Sequence, residues 1–145
     1  MKYSKATNYA LHTMVYLASA PAGKTIGVLP LAEFQQISPT YLSKILTKLV
    51  KAGYVESTPG VRGGYKLSKN KEDISFLHVI QAIEGNESLF QCGAGHDENA
   101  PYCMVECVMS QAEQEMEKYL QQRTIAELVE KSDERILSFV NRVAQ

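Results

Sequence analysis

Apolar residues in the first third of the chain recur at the three- and four-residue spacing of helices. Three segments show this pattern: residues 7–18, 28–35 and 39–52. The third has the strongest start, because Ser38 is a favourable N-cap and Pro39 suits the first helical position. Its apolar stripe consists of Leu42, Ile45, Leu46, Leu49 and Val50. The pattern therefore predicts three consecutive helices, with a tight turn between the second and the third.

The pattern changes from helix to strand after the third helix. Residues 54–58 and 65–67 have strand character, and the loop 59–64 between them holds three glycines and Arg62. These segments predict a hairpin with a glycine-rich, basic tip. Two helices joined by a tight turn and followed by such a hairpin predict a winged helix-turn-helix domain over residues 1–71.

Helical spacing returns in residues 72–145. A helix capped by Ser75 ends at Gly85, a long helix begins near Tyr102, and a capping box at residues 124–127 opens a final helix. The stripe of the long helix consists of Val105, Val108, Ala112, Met116, Tyr119 and Leu120. The predicted fold class is thus mainly α with a small β-hairpin wing.

Charged side chains divide unevenly between the two parts of the chain. Residues 1–71 carry nine lysines and one arginine against two acidic residues, a net charge of +8. Residues 72–145 carry five basic and fourteen acidic side chains, a net charge of -9, so the whole chain has only -1. A basic half indicates a polyanionic partner, and an acidic half indicates a surface that is kept away from that partner.

The composition excludes several classes of protein. The chain has 145 residues, 45% of them hydrophobic, and lacks any run of about 18 uninterrupted apolar residues, so no membrane span is expected. Polar residues interrupt the apolar run near the start, which argues against a secretory signal and makes the cytoplasm the expected location. The sequence has no phosphate-binding loop, no zinc-protease motif and no nucleophile–base pair, so an enzyme is not expected.

The winged helix-turn-helix pattern places its third helix in the major groove of DNA, with the first residues of that helix at the bases. Hydroxyls and lysines there can bond to base edges or phosphates, and an arginine at the wing tip suits the narrow minor groove. The predicted DNA-contacting residues are Ser38, Pro39, Thr40, Tyr41, Ser43, Lys44, Lys48, Arg62 and Gly63. For Tyr41 the alternative is core packing, and for the lysines it is a solvated helix face.

Two other classes of function are weighed as alternatives, although the missing motifs already argue against the second of them, an enzyme. A winged helix can dock another protein, with the acidic half recruiting a partner, and a cysteine cluster can belong to a small metalloenzyme. Salt separates the first of these from DNA binding, because the affinity of a protein for duplex phosphates falls linearly with salt on a logarithmic scale.

All three cysteines fall in one short segment, residues 91–109. Cys103 and Cys107 lie four residues apart at the start of the long helix, hence on one face, while Cys92 and His96 lie on the preceding loop. Three thiolates and an imidazole form a candidate ligand set for an iron–sulfur cluster or for zinc. Without metal, Cys103 with Cys107, or Cys92 with Cys103, would suit a disulfide switch, and inert thiols are the third interpretation.

The sequence resembles the Rrf2 family of bacterial transcription regulators. The resemblance lies in MKYSKATNYAL at residues 1–11, SPTYLSKIL at 38–46, AGYV at 52–55 and above all the wing GVRGGYKL at 60–67. It implies a repressor that binds a partly palindromic double-stranded DNA operator as a homodimer, paired mainly through the long helix. Residues 72–145 would then form a sensor loop and dimerisation helices.

The resemblance also implies a [2Fe–2S] or [4Fe–4S] cluster on the cysteines, which would bias the dimer between DNA-binding states. The chain departs from the family pattern in three places, two at the cluster ligands and one in the wing. Ten residues separate Cys92 from Cys103, a wider first gap than usual, and Asn8 stands where one branch has a carboxylate ligand. Pro59 stands where many members have arginine, so Arg62 is expected to carry the wing contact alone.

Overall fold

The computed structural model describes residues 2–93 and 103–145. It is mainly helical and contains one β-hairpin. The helices of the first half are α1 (Lys5–Ser19), α2 (Val28–Gln35) and α3 (Pro39–Lys51). The strands β1 (Val55–Thr58) and β2 (Gly64–Leu67) follow, and then a single 3-10 turn, Lys71–Asp73. The helices of the second half are α4 (Phe76–Glu84), α5 (Met104–Gln122), α6 (Ile125–Glu130) and α7 (Glu134–Val143). Within the described ranges, no helix is both long enough and apolar enough to cross a membrane.

One hydrophobic core joins elements from both halves of the chain. Helix α1 lies at its centre and contacts α3, α4, α6 and α7. Met14 of α1, Leu46 of α3, Ile125 of α6 and Val140 of α7 are all fully buried in this one cluster. The helices that follow the wing therefore stabilise those that precede it, and the division of the chain at residue 71 stays a prediction about function.

An aromatic cluster joins α7 to α2. The rings of Phe34 and Phe139 stack at a centroid distance of 4.0 Å and an angle of 8°, and Tyr16 of α1 meets both rings edge-on. The guanidinium of Arg135 lies 4.9 Å from the centroid of Phe34. An aromatic pair of this kind contributes about 0.5–1.5 kcal/mol beyond the area it buries. Helix α7 thus braces the helix that precedes the turn of the helix-turn-helix.

A carboxylate ties the start of α1 to the end of α4. Oε1 of Glu84 accepts a hydrogen bond of 2.6 Å from the Thr7 hydroxyl and one of 2.7 Å from the Ser4 N–H. These bonds, the one from Thr7 foremost, lower the pKa of the Glu84 carboxyl. The position of α1, and through it the core, is therefore linked to the helix that leads into the cysteine segment.

The wing is a short antiparallel hairpin, and the backbone of Ile26 pairs with its second strand. Its strands pair from Val55–Leu67 to Thr58–Gly64. Ile26 and Tyr65 exchange two hydrogen bonds of 2.8 and 2.9 Å, and residue 25 exchanges two more with residue 145. A Cβ on Gly64 would lie 2.7 Å from the Ile26 carbonyl, and the φ angle of Gly64 is 150°. Glycine is therefore required where the wing approaches residue 26.

The structure confirms the predicted order of three helices, hairpin and further helices, with small shifts at the ends. The Ser38 hydroxyl caps α3 by accepting the Tyr41 N–H at 3.1 Å, as its N-cap position predicts. The prediction of one final helix is wrong, because two helices, α6 and α7, occupy that region. The cause is Asp133, whose carboxylate accepts the Ile136 N–H at 3.0 Å and starts a new helix.

Phe139→Ala should destabilise the whole fold. Removing the buried ring leaves a cavity between α1, α2 and α7, at an expected cost of about 3–5 kcal/mol of unfolding free energy. Denaturant unfolding followed by far-UV circular dichroism measures this cost. Leu137→Ala on the exposed side of the same helix is the control and should cost less than about 1 kcal/mol. Equal effects of the two changes would show that α7 does not belong to the core.

Candidate nucleic-acid interface and cysteine site

Helix α3 has two faces of opposite character. Leu42, Ile45, Leu46 and Leu49 are buried in the core. The predicted DNA-contacting residues lie on the other side: Ser38, Pro39, Thr40, Tyr41, Lys44 and Lys48 are exposed, and Ser43 is half-buried. Burial of the apolar stripe thus fixes which side of α3 meets solvent, and the hydroxyls and lysines lie there together.

Tyr41 has features of both interpretations considered for it. Its ring meets that of Tyr9 edge-on, with centroids 5.9 Å apart, so it packs against α1. It nevertheless keeps 37% of its surface exposed. A phenol held by packing on one side and open to solvent on the other is suited to donate a hydrogen bond from a fixed position.

The wing tip exposes its side chains on a tightly folded loop. Val61 is 99% exposed and Arg62 is exposed beside it. The Gly63 N–H donates to the Gly60 carbonyl at 3.0 Å, and the Thr25 hydroxyl donates to the Arg62 carbonyl at 3.3 Å. A Cβ on Gly63 would clash with the Thr58 carbonyl oxygen. Glycine at position 63 therefore has a structural reason in the loop itself, and its predicted DNA contact stays a prediction.

Backbone hydrogen bonds hold α3 to the hairpin that follows it. The Tyr54 N–H donates to the Leu49 carbonyl at 3.1 Å, and the Ser68 N–H donates to the Tyr54 carbonyl at the same distance. The Tyr54 ring stacks on His78 of α4 at 5.3 Å. His78 also completes the capping box of α4 with Ser75. Its imidazole therefore has a structural role at the start of that helix.

Two of the three cysteines meet at the start of α5. Cys103 is the N-cap of this helix, and its Sγ accepts the Glu106 N–H at 3.4 Å. That hydrogen bond, followed by one from the Cys92 side chain, lowers the pKa of the Cys103 thiol. Cys107 lies one turn further along and is exposed. His96 falls outside the residues that the structure describes, and Asn8 is exposed on α1.

The side chain of Glu106, which the sequence analysis did not single out, lies close to these two cysteines. The ligand atoms of Cys92, Cys103 and Glu106 all lie within 4.8 Å of one another, and this group, found among the described residues, does not include Cys107. Two ligand atoms of one tetrahedral zinc ion are about 3.3–3.8 Å apart, so three donors this close fit around one ion after small side-chain movements. The three-residue spacing of Cys103 and Glu106 could have predicted this proximity, because it places both side chains on one side of a helix.

The loop that carries Cys92 is anchored to α5. Glu113 accepts hydrogen bonds from the Ser88 hydroxyl at 2.7 Å and from the Leu89 N–H at 3.0 Å. Nearby, the Tyr3 hydroxyl contacts the sulfur of Met116 at 3.3 Å. Burial is the largest cause that raises the pKa of Tyr3, and the charges of neighbouring glutamates raise it further. Helix α5 is therefore in contact both with the cysteine segment and with the N-terminus of the chain.

The other side of α5 presents apolar side chains to solvent. Val105, Val108 and Tyr119 are 61%, 69% and 60% exposed. Met116 and Leu120, which the sequence placed in the same stripe, are half-buried against the body of the protein. Within α5, every residue of which is described, no side chain is fully buried. Solvated valines at helical spacing indicate a face that is suited to a partner helix.

Comparisons with known proteins agree with this architecture. YffB, a protein of Lactococcus lactis named as a helix-turn-helix transcriptional regulator, is 41% identical over 91 residues, which cover 63% of this chain and 58% of that protein. The solved structure of CymR, the global cysteine regulator of B. subtilis, superposes with a TM-score of 0.77 at 24% identity, over 92% of this chain and 99% of that one. T. potens IscR gives a TM-score of 0.75 at 26% identity, over 93% and 90%.

The family comparison covers most of the chain. The sequence profile of the Rrf2 family, described as iron-dependent transcriptional regulators, matches residues 3–131. This range contains α3, the wing, the three cysteines and the whole of α5. The chain therefore belongs to the Rrf2 family of transcriptional regulators.

Proposed function

We propose that the protein is a cytoplasmic repressor that binds double-stranded operator DNA as a homodimer, and that its cysteine segment controls this binding. The observation that carries the proposal is the polar N-terminal side of α3, exposed over a buried apolar stripe and followed by a basic wing tip. In this proposal residues 1–71 bind DNA, and residues 72–145 supply the sensor and dimer helices. The net charges of +8 and -9 support that division, since the acidic part is repelled by phosphate.

The start of α3 offers donors of the kinds that bind base edges and phosphates. Ser38 and Thr40 supply hydroxyls, Tyr41 a phenol held against α1, and Lys44 and Lys48 charges on successive turns. Hydroxyl and lysine contacts of this kind position a recognition helix on the phosphates, while contacts to base edges supply specificity. Arg62 at the wing tip adds a cation suited to the minor groove.

The exposed apolar face of α5 supports a symmetric dimer. A two-fold partner would cover Val105, Val108 and Tyr119 with the same residues of its own α5. Such a dimer presents two copies of α3 and of the wing to the duplex. The operator is therefore proposed to be partly palindromic, because half-sites mirror the symmetry of the protein.

The contact between Cys92 and Cys103 supports control by the cysteines. Family resemblance implies an iron–sulfur cluster on Cys92, Cys103 and Cys107, and the residues alone offer His96 as a further donor. The first two cysteines already converge. When bound, such a cluster supplies a redox- and iron-responsive group at the start of α5. This chain's own part is to anchor the loop through Glu113 and to pass any shift of Cys103 directly into α5.

A metal-free thiol switch is the second candidate, and the same contact favours it. A peroxide oxidises the Cys103 thiol to a sulfenic acid and releases water. The Cys92 thiol then attacks that sulfur, forming the disulfide and releasing a second water. Cys103 at a helix N-cap, with a lowered pKa, suits the first step, and Cys92 is close enough for the second.

Binding to duplex fragments of the promoter of its own gene should weaken steeply as salt rises. Fluorescence anisotropy measures the dissociation constant across a range of salt concentrations. Lys44→Ala should reduce the slope of log affinity against log salt by about one, because one phosphate contact is lost. Lys131→Ala, in the acidic half, is the control and should leave the slope unchanged. A duplex affinity without salt dependence would indicate a protein-docking winged helix instead.

Arg62→Ala should weaken operator binding by about 1–3 kcal/mol if this side chain enters the groove. The loss corresponds to roughly a 5- to 150-fold rise in the dissociation constant. The matched control is Val61→Ala, which alters the exposed neighbour of Arg62 in the same tip without removing charge. An unchanged affinity for Arg62→Ala would remove the wing from the binding mechanism.

Peroxide treatment of the metal-free protein should join Cys92 to Cys103. Peptide mapping without reduction identifies the linked pair, and Cys107→Ser should still form it because Cys107 lies outside the contact. Cys103→Ser should abolish it. A bridge between Cys103 and Cys107 would assign the switch to the other pair, and the absence of any bridge would eliminate the thiol mechanism.

A further inference from the structure

We infer that Cys92, Cys103 and Glu106 together bind a single divalent metal ion, with the Glu106 carboxylate as the third ligand and Cys107 outside the coordination shell. The inference rests on the proposed function, since it concerns the same cysteine sensor, and it puts a single ion in place of the cluster that the family resemblance implies. Neither the sequence pattern nor the family resemblance assigns a role to Glu106.

The position of Glu106 on α5 brings its carboxylate to the cysteine pair. Cys103 is the N-cap of α5, and Glu106 lies three residues later, so the two side chains share one side of the first turn. The backbone of Glu106 is fixed there because its N–H donates to Cys103 Sγ at 3.4 Å. Cys92 approaches from the loop, and the three ligand atoms come within 4.8 Å of one another.

The convergence of three donors distinguishes a single ion from a cluster. In a [4Fe–4S] cluster held by four cysteines each iron takes one protein ligand, and in a [2Fe–2S] cluster each iron takes two. Three donors whose ligand atoms lie within 4.8 Å of one another match the ligand set of one ion more closely than they match one or two ligands per iron. A tetrahedral zinc ion accepts thiolate and carboxylate ligands together, so two sulfurs and one oxygen provide three of its four positions.

The burial of the three residues also suits an ion that exchanges with its surroundings. Cys92 and Cys103 are half-buried, and Glu106 is exposed. Zinc sites with three protein ligands keep a fourth position for water or another small ligand. A site with these properties would load and release metal according to the free metal concentration, and two thiolate ligands would make it sensitive to oxidants.

The test uses the full-length protein, stripped of metal by a chelator under reducing, anaerobic conditions. Zinc affinity is measured by competition with a chromogenic chelator. Cobalt serves as the spectroscopic probe, because its thiolate-to-metal absorption scales with the number of bound thiolates. Glu106→Gln should weaken zinc binding at least about tenfold, the lower end of what loss of even a supporting partner costs. It should leave the two-thiolate cobalt absorption intact at saturation.

Matched variants test whether Glu106 is a metal ligand or only lies near the site. Glu115→Gln, an exposed carboxylate on the same helix, and Cys107→Ser should both bind zinc and cobalt like the wild type. Cys92→Ser and Cys103→Ser should each lose about half of the thiolate absorption. Glu106→Asp keeps the carboxylate and should recover part of the affinity, which a purely structural role of Glu106 would not explain.

Two results would overturn the inference. Wild-type affinity in Glu106→Gln, together with weakened binding in Cys107→Ser, would assign the site to three cysteines. Iron with equimolar acid-labile sulfide in the anaerobically purified protein would identify a cluster in place of a single ion. Binding of the metal-free protein to promoter duplex is measured separately, and its failure would remove the proposed DNA-binding function without affecting the metal assignment.

Discussion

Burial of one side of α3 is the constraint on which the rest of the structure depends. Four apolar side chains at helical spacing, Leu42, Ile45, Leu46 and Leu49, are buried in the core, and this fixes the rotation of the helix about its own axis. Ser38 fixes where the helix begins. Together they determine which residues meet solvent, so packing and the Ser38 cap place the hydroxyls and lysines on the exposed side of α3.

The second half of the chain shares this core while differing in charge. Helices α6 and α7 contribute Ile125, Phe139 and Val140 to the cluster that holds α3, yet the surface of this half is acidic. Packing therefore holds the two parts in one body although their net charges are opposite. One side of helix α5 contacts α4 and the loop that carries Cys92, while Val105 and Val108 on its other side face solvent.

Local signals in the sequence predicted most of the fold. Ser38 and Ser75 mark helix starts by side-chain hydrogen bonds that depend only on residues three positions away, and glycines mark the wing. The break between α6 and α7 was missed although two local signals mark it: Asp133 is itself a helix cap, and residues 130–135 are all polar. The stacking of Phe34 on Phe139 and the approach of Cys92 to Glu106 join distant parts of the chain, and helical periodicity carries no information about such pairs.

The backbone pairing of Ile26 with Tyr65 has a mechanical consequence. A hairpin of two four-residue strands is marginally stable by itself, but here a third segment of backbone bonds to its edge and residue 145 bonds to that segment in turn. Backbone hydrogen bonds thereby tie the base of the wing to the body of the protein, while Val61 and Arg62 at its tip are exposed. Any displacement of the wing base would therefore have to break the two backbone hydrogen bonds to residue 26.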